Sequence, residues 1–173
     1  MTTSGFSTVD FNLWPSIALV ILVLLMLCGA CAGSTAGGIK VSRILLLAKN
    51  GKREIRYISQ PRAVISVKMN GKAVDEGVVR GATSFIIMYC MLFVASVIII
   101  TAIDGVDPLT GFSSVATSIN NVGPGLGNAG PASNFGFYTP ASKLVLCFNM
   151  LAGRLELFPI LMLLSPAAYR RHA

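Results

Sequence analysis

The stretch SIALVILVLLMLCGACAGSTAGGIK, residues 16–40, decides how the rest of the chain is read. Its first half, through Ala30, is an uncharged apolar run. Its second half, Cys31 to Lys40, carries three glycines, Ser34 and Thr35, and ends in a lysine. The second half resembles a phosphate cradle, but the match fails. A P-loop needs Gly-Lys-Ser/Thr after its spacer and a strand before it. Gly33 and Gly38 have the right separation, yet Ile39 stands before Lys40 and Val41 follows. The preceding run has no turn punctuation and is too continuously apolar for a soluble strand. A helix unbroken from Pro15 to Ala48 would measure roughly 50 Å, well beyond a ~30 Å hydrocarbon core. Gly33, Gly37 and Gly38 are where it would break. Non-helical backbone at membrane depth persists only when buried in protein or lining a watery cavity. The glycine stretch is therefore a candidate pore-lining loop within a broken helix.

Composition agrees with a membrane setting. Hydrophobic residues make up 54% of the 173 residues and charged residues only 12%, with mean hydropathy +0.72. Soluble domains carry about 25% charged residues. No cleavable signal peptide is legible, because the chain opens on polar MTTSGFST. The net charge of +7 does not indicate nucleic acid. Residues 40–80 hold ten of the fourteen Lys/Arg and three of the seven Asp/Glu, so the excess sits in one block. A basic block beside apolar runs marks a cytoplasmic loop. Cys28 and Cys31 form a C-x-x-C, but no βαβ pattern or second ligand pair accompanies them. All four cysteines lie in apolar runs and read as small residues of packed helices.

Two further runs approach or reach spanning length. Gly81 to Ile103 is uncharged over 23 residues, and Ala141 to Ser165 is apolar apart from Lys143, Asn149, Arg154 and Glu156. Between the first and second spans, Asn70-Gly71 separates short β-prone runs, predicting a small cytoplasmic hairpin over 63–69 and 72–75. Between the second and third, Leu109 to Ile119 predicts a short helix, followed by NNVGPGLG, residues 120–127. A span, a short helix, an irregular glycine segment and a second span make a re-entrant pore loop. Backbone carbonyls in such a segment can replace an ion's hydration shell. A faint repetition supports this. Pro15 and Pro140 each begin an apolar run that reaches a glycine (Gly29, Gly153), and each run follows a glycine-containing polar stretch.

Five stretches carry a resemblance: TTSGFSTVDFNLWP (2–15), GACAGSTAGGIKVSR (29–43), VKMNGKAVDE (67–76), SINNVGPGLG (118–127) and LAGRLELFPIL (151–161). In this order the chain resembles the Trk, Ktr and HKT potassium-transporter superfamily, nearest the bacterial Trk-type membrane subunit. The resemblance implies an all-α integral membrane protein of span–pore-loop–span, potassium-channel-like repeats. About one and a half of the expected four are present, so the sequence is expected to be a carboxy-terminal fragment with Met1 inside a filter stretch. Residues 1–50 would end the third repeat, 51–80 form the cytoplasmic loop, 81–166 form the fourth repeat and 167–173 a cytoplasmic tail.

By the same resemblance, Thr3, Ser4 and Gly5 belong to one potassium filter stretch, and Asn121, Val122 and Gly123 to the next. Glycine there goes with potassium preference, and serine in one repeat with sodium transport. With two stretches absent, sodium stays open as the transported ion. Gly33, Ser34, Thr35, Gly37 and Gly38 would form an intramembrane gate loop beneath the filter. Arg154 would contact that loop from the last span. A mid-membrane charge costs at least about 2.5–3.5 kcal/mol on insertion scales, so it should face the interior. Its alternative is an ion pair with Glu156, which a spacing of two disfavours on a helix. Lys40 has two readings, reaching the cavity or snorkelling to the cytoplasmic surface.

The implied function is potassium transport through a pore, with potassium as cargo and no cofactor, in the bacterial inner membrane, multi-pass, with a cytoplasmic carboxy terminus. Implied partners are membrane lipid, a cytoplasmic nucleotide-binding regulatory subunit and a second copy in a full-length homodimer, with no nucleic acid. The basic segment and the YRRHA tail suit either the regulatory subunit or anionic headgroups. Two rivals stand beside this reading: a non-conducting fragment, and a secondary carrier with broken helices. No enzyme reading has a catalytic constellation, since the single histidine, His172, lies at the terminus without a metal-ligand grouping.

Overall fold

The structure is a computed structural model that describes residues 5–29, 31, 37–60, 66–69 and 71–155. Thr3, Ser4, Gly33, Ser34 and Thr35 lie outside the described residues, as do Glu156 and the carboxy-terminal tail. The element order is a 3-10 turn (Phe11–Leu13), α1 (Ser16–Cys28), α2 (Val41–Ser59), strands β1 (Lys68–Met69) and β2 (Lys72–Ala73), α3 (Glu76–Asp104), α4 (Pro108–Asn120), 3-10 turns Gly127–Ala129 and Phe135–Phe137, and α5 (Pro140–Arg154). The described residues are thus mostly helical, with one strand pair among them.

α3, with 29 residues, is long and apolar enough to cross a membrane. α1 is apolar over 13 residues and stops at Gly29, which takes φ +66°. A Cβ at Gly29 would overlap the Ile39 carbonyl, so the chain leaves α1 and re-enters α2 at nearly the same point. The glycine break is pinched at its base. α2 runs on to Ser59, into the basic stretch where the sequence predicts only a loop and hairpin. Arg53 of α2 is fixed to the start of α3 by hydrogen bonds to Glu76 Oε2 (2.6 Å) and Oε1 (2.9 Å). The bond to Glu76 raises the guanidinium pKa above its ordinary value.

Residues 63–65 of the predicted hairpin lie outside the described residues, and the described strands are two residues each. Lys68 pairs with Ala73 and Met69 with Lys72, antiparallel, and a bond from Val74 N to Val67 O adds one rung. Gly71 at φ +80° supplies the left-handed turn residue. Val67 packs with Leu46, Val79 and Ala82, which ties the strands to the adjoining ends of α2 and α3.

α4 sits among α1, α3 and α5. Asp107 caps it by accepting from Leu109 N (3.2 Å), and Pro108 occupies the first turn, where its missing N–H is harmless. At 13 residues the helix measures roughly 20 Å, too short to span. Its apolar residues divide between two cores. Ile119 joins Phe85, Tyr89 and Ala152, while Val115 joins Ile100, Tyr138 and Leu146.

Candidate functional site

Ten of the thirteen residues of α4 are buried, and six of those are Ser, Thr or Asn. Such a helix cannot face lipid, because every uncompensated polar group in hydrocarbon costs several kcal/mol (about). Neighbouring elements supply partners. Ser113 Oγ donates to Leu126 O and accepts from Leu126 N, each at 3.0 Å. Tyr138 Oη donates to Ser114 Oγ (2.8 Å), and Tyr89 Oη donates to Asn120 Oδ1 (3.0 Å). A further polar pair, Ser96 Oγ to Asn149 Oδ1 (3.0 Å), links α3 to α5. The helix is held as the centre of the fold rather than as a span.

Its carboxy end is where the sequence-predicted site residues gather. The chain leaves α4 through a Schellman turn: Val122 N donates to Thr117 O (3.0 Å) and Asn121 N to Ser118 O (3.2 Å). The left-handed position is usually glycine, but here it is Asn121 at φ +53°, the only non-glycine with positive φ among the described residues. Its side chain accounts for the choice, since Asn121 Nδ2 donates to Met150 O of α5 (3.0 Å). Gly123 follows at φ +113°. A Cβ there would lie 2.9 Å from Gly5 Cα, and one on Gly5, itself at φ +76°, would lie 3.5 Å from Val122 O. Two glycines 118 positions apart therefore bring their backbones into contact, both in conformations that side chains resist.

The same helix end receives the glycine break. A Cβ at Gly37 would come within 2.9 Å of both Ile119 O and Asn121 Nδ2, and one at Gly38 (φ +83°) would overlap Asn120 Oδ1. From α5, a Cβ at Gly153 would overlap Ile119 O. Gly37, Gly38 and Gly153 clasp the last turn of α4. Arg154 is the last residue of α5 and its side chain is exposed.

Sequence reasoning did not single out Asn120, whose amide bridges α4 and Tyr89, or Asn12. Asn12 Oδ1 accepts from Gly127 N (3.1 Å) and its Nδ2 donates to Gly127 O (3.3 Å). For Asn120 a signal existed in the doubled asparagine that ends a predicted helix. For Asn12 there was none.

A chain of this hydropathy, whose described residues include one helix of membrane-spanning length packed on a short, buried polar helix, belongs to the class of helical membrane proteins. The TrkH family, described as cation transport protein, matches residues 1–169, and the chain belongs to that family. It is a family of transport proteins, not enzymes. The Trk system potassium uptake protein TrkH of Salmonella typhimurium is 43% identical over 169 residues, covering 98% of this chain and 34% of its own length. The Trk system potassium uptake protein TrkG of Escherichia coli K12 is 40% identical over 170 residues, covering 98% and 34%. The crystal structure of the potassium transporter TrkH from Vibrio parahaemolyticus superposes with a TM-score of 0.84 at 44% identity, covering 96% of this chain and 35% of that one. The chain spans about a third of the length of these relatives.

Proposed function

We propose that the chain supplies two neighbouring filter strands and a gate loop to a potassium-conducting pore of the Trk type. The observation that carries this is the contact of Gly5 with Gly123, both at positive φ, beside the carboxy end of a buried polar helix. Strands in that conformation can turn successive carbonyls toward one axis. The negative end of the α4 macrodipole, about half an elementary charge, favours a cation there. Thr3, Ser4 and Gly5 would line one strand, and Asn121, Val122 and Gly123 the other.

Residues 33–38 would form the gate. The packing of Gly37 and Gly38 on Asn120 and Asn121 supports this, because it brings the end of that loop against the residues where the proposed filter strand begins. Arg154 follows Gly153, which packs on the same terminus from α5, and would hold the loop closed. Potassium is the cargo, and no cofactor is needed. The protein would lie in the bacterial inner membrane with its carboxy terminus inside. There it would act as part of a longer, dimeric transporter with a nucleotide-binding regulatory subunit. A carrier with broken helices fits less well, since α4 ends in a glycine strand rather than in a second half-helix.

The test is Gly123→Ser in a full-length parent, assayed by uptake in a potassium-transport-deficient strain. Potassium preference over sodium should fall while membrane insertion is kept. An unchanged preference in well-inserted protein would remove Gly123 from the filter.

A further inference from the structure

Asn12 presents its amide to Gly127 as a neighbouring β-strand would, accepting from the N–H at 3.1 Å and donating to the C=O at 3.3 Å. The two residues are 115 positions apart, one in each of the two segments that carry the proposed filter glycines. Both ends of this contact are fixed. On one side, Asn12 lies in the 3-10 turn Phe11–Leu13, where its N–H is capped by Asp10 Oδ1 (3.0 Å) and Trp14 N donates to Phe11 O (3.1 Å). On the other side, Gly127 stands at φ +64° with no room for a side chain, since a Cβ would lie 2.6 Å from Thr110 Oγ1. Its loop is closed by Gly125 N to Ala129 O (2.7 Å) and Gly130 N to Gly127 O (3.1 Å). Ser113 holds Leu126 against α4 by two 3.0 Å bonds. A Cβ at Gly130 would overlap Asn12 Nδ2, so the loop is shaped around this amide.

Asn12 follows Gly5 by seven residues, and Gly127 follows Gly123 by four. The amide of Asn12 thus joins these two segments directly. We infer that Asn12 is a positioning residue: its side-chain amide sets the separation of the two strands that hold Gly5 and Gly123, and thereby the ion preference of the pore. The inference rests on the proposed filter. It adds that discrimination depends on a bridge between repeats outside the filter itself. The Asp10–Trp14 turn and the Gly125–Gly130 loop are each held by their own bonds, and the amide of Asn12 ties one to the other. Asn12 does not touch the ion.

The experiment uses the full-length parent and compares Asn12→Ala, Asn12→Asp and Gly123→Ser. Asn12→Asp keeps the size and the acceptor for Gly127 N–H but turns the donor into a carboxylate facing Gly127 O. A net hydrogen bond shifts a two-state population by roughly two- to tenfold, so the potassium-over-sodium uptake ratio should fall by about that factor in both Asn12 variants. The ratio is the proper readout because an added charge at the mouth concentrates both monovalent cations alike. Membrane-inserted protein, quantified in parallel, should stay near the parent's level. If Asn12→Ala is poorly inserted, Asn12→Asp decides. A parental ratio in both Asn12 variants, with Gly123→Ser altered, overturns the bridge and leaves the filter standing. A parental ratio in all three removes the filter reading and the bridge with it. Loss of both Asn12 variants from the membrane would make Asn12 a folding contact and overturn the assignment.

Discussion

Gly153→Ala should destabilise the protein, although the same exchange in an exposed helix stabilises. Gly153 lies in the last turns of α5. An added methyl would overlap Ile119 O, lie 2.7 Å from Ile119 C and stand 3.2 Å from Asn121 Nδ2. The obstacle is backbone, so no rotamer change relieves it, and α5 must back away from α4. Two contacts resist that movement: Asn121 Nδ2 to Met150 O and Ser96 Oγ to Asn149 Oδ1, each 3.0 Å. Overpacking of this kind costs about 1–3 kcal/mol. Loss of the Asn121 bond would add roughly 0.5–1.5 kcal/mol. Alanine's better helix propensity returns about 1 kcal/mol. The clash wins, leaving a net loss of roughly 1–3 kcal/mol. Gly51→Ala is the control, because Gly51 lies inside α2 with nothing within 4 Å of its would-be Cβ and no positive φ. There the propensity term stands alone, a gain of up to about 1 kcal/mol. Apparent melting temperature in detergent, measured on the full-length parent, should fall for Gly153→Ala and hold or rise for Gly51→Ala. A Gly153→Ala protein as stable as the parent would refute the close approach of α5 to the α4 terminus.

The basic block at 40–80 and the proposed gate each carry a further expected outcome. In a parent lacking its native cysteines, a cysteine at position 52 should label only from the cytoplasmic side, and labelling in intact cells from outside would reverse the topology. Shortening loop 33–38 should raise potassium flux, as should Arg154→Ala, and the two effects should not add because both act on one element; unaltered flux in well-inserted protein would reduce the loop to a structural break.

The sequence made the spans and the short helix legible because their signals are local. Residues 109–119 were expected to be helical and α4 runs Pro108–Asn120, bounded by Asp107 before the proline and by glycine after the asparagines. Asn70-Gly71 marked the turn between the strands, though only two residues on each side pair. The helical run to Ser59 is less legible because Lys49, Lys52, Arg53 and Arg56 have the composition of a charged loop. At spacings of three and four they share one face of a helix whose other positions keep it packed, Leu46 among them. The meeting of Gly37 and Gly38 with Asn120 and Asn121 was foreseeable only through the resemblance. Nothing in the spacing of a glycine reveals which distant backbone it admits. Asn12 was invisible for the same reason, being one amide among many polar residues in a loop.

Glycine serves two opposed purposes in this chain, and the structure separates them. At Gly5, Gly123 and Gly127 it permits left-handed backbone, so that a strand can turn its carbonyls where a side chain would forbid it. At Gly153 and Gly37 it permits close approach, letting α5 and the end of the broken helix reach the last carbonyls of α4. Gly38 does both. A helix terminus approached that closely on two sides has little freedom to shift, and Asn120 and Asn121 remove more by bonding to Tyr89 and Met150. On the proposed reading, that rigidity is what a filter strand beginning at Asn121 requires: its first carbonyls issue from a fixed helix end. On the same reading, the proposed gate loop rests its far end, Gly37 and Gly38, against that fixed terminus.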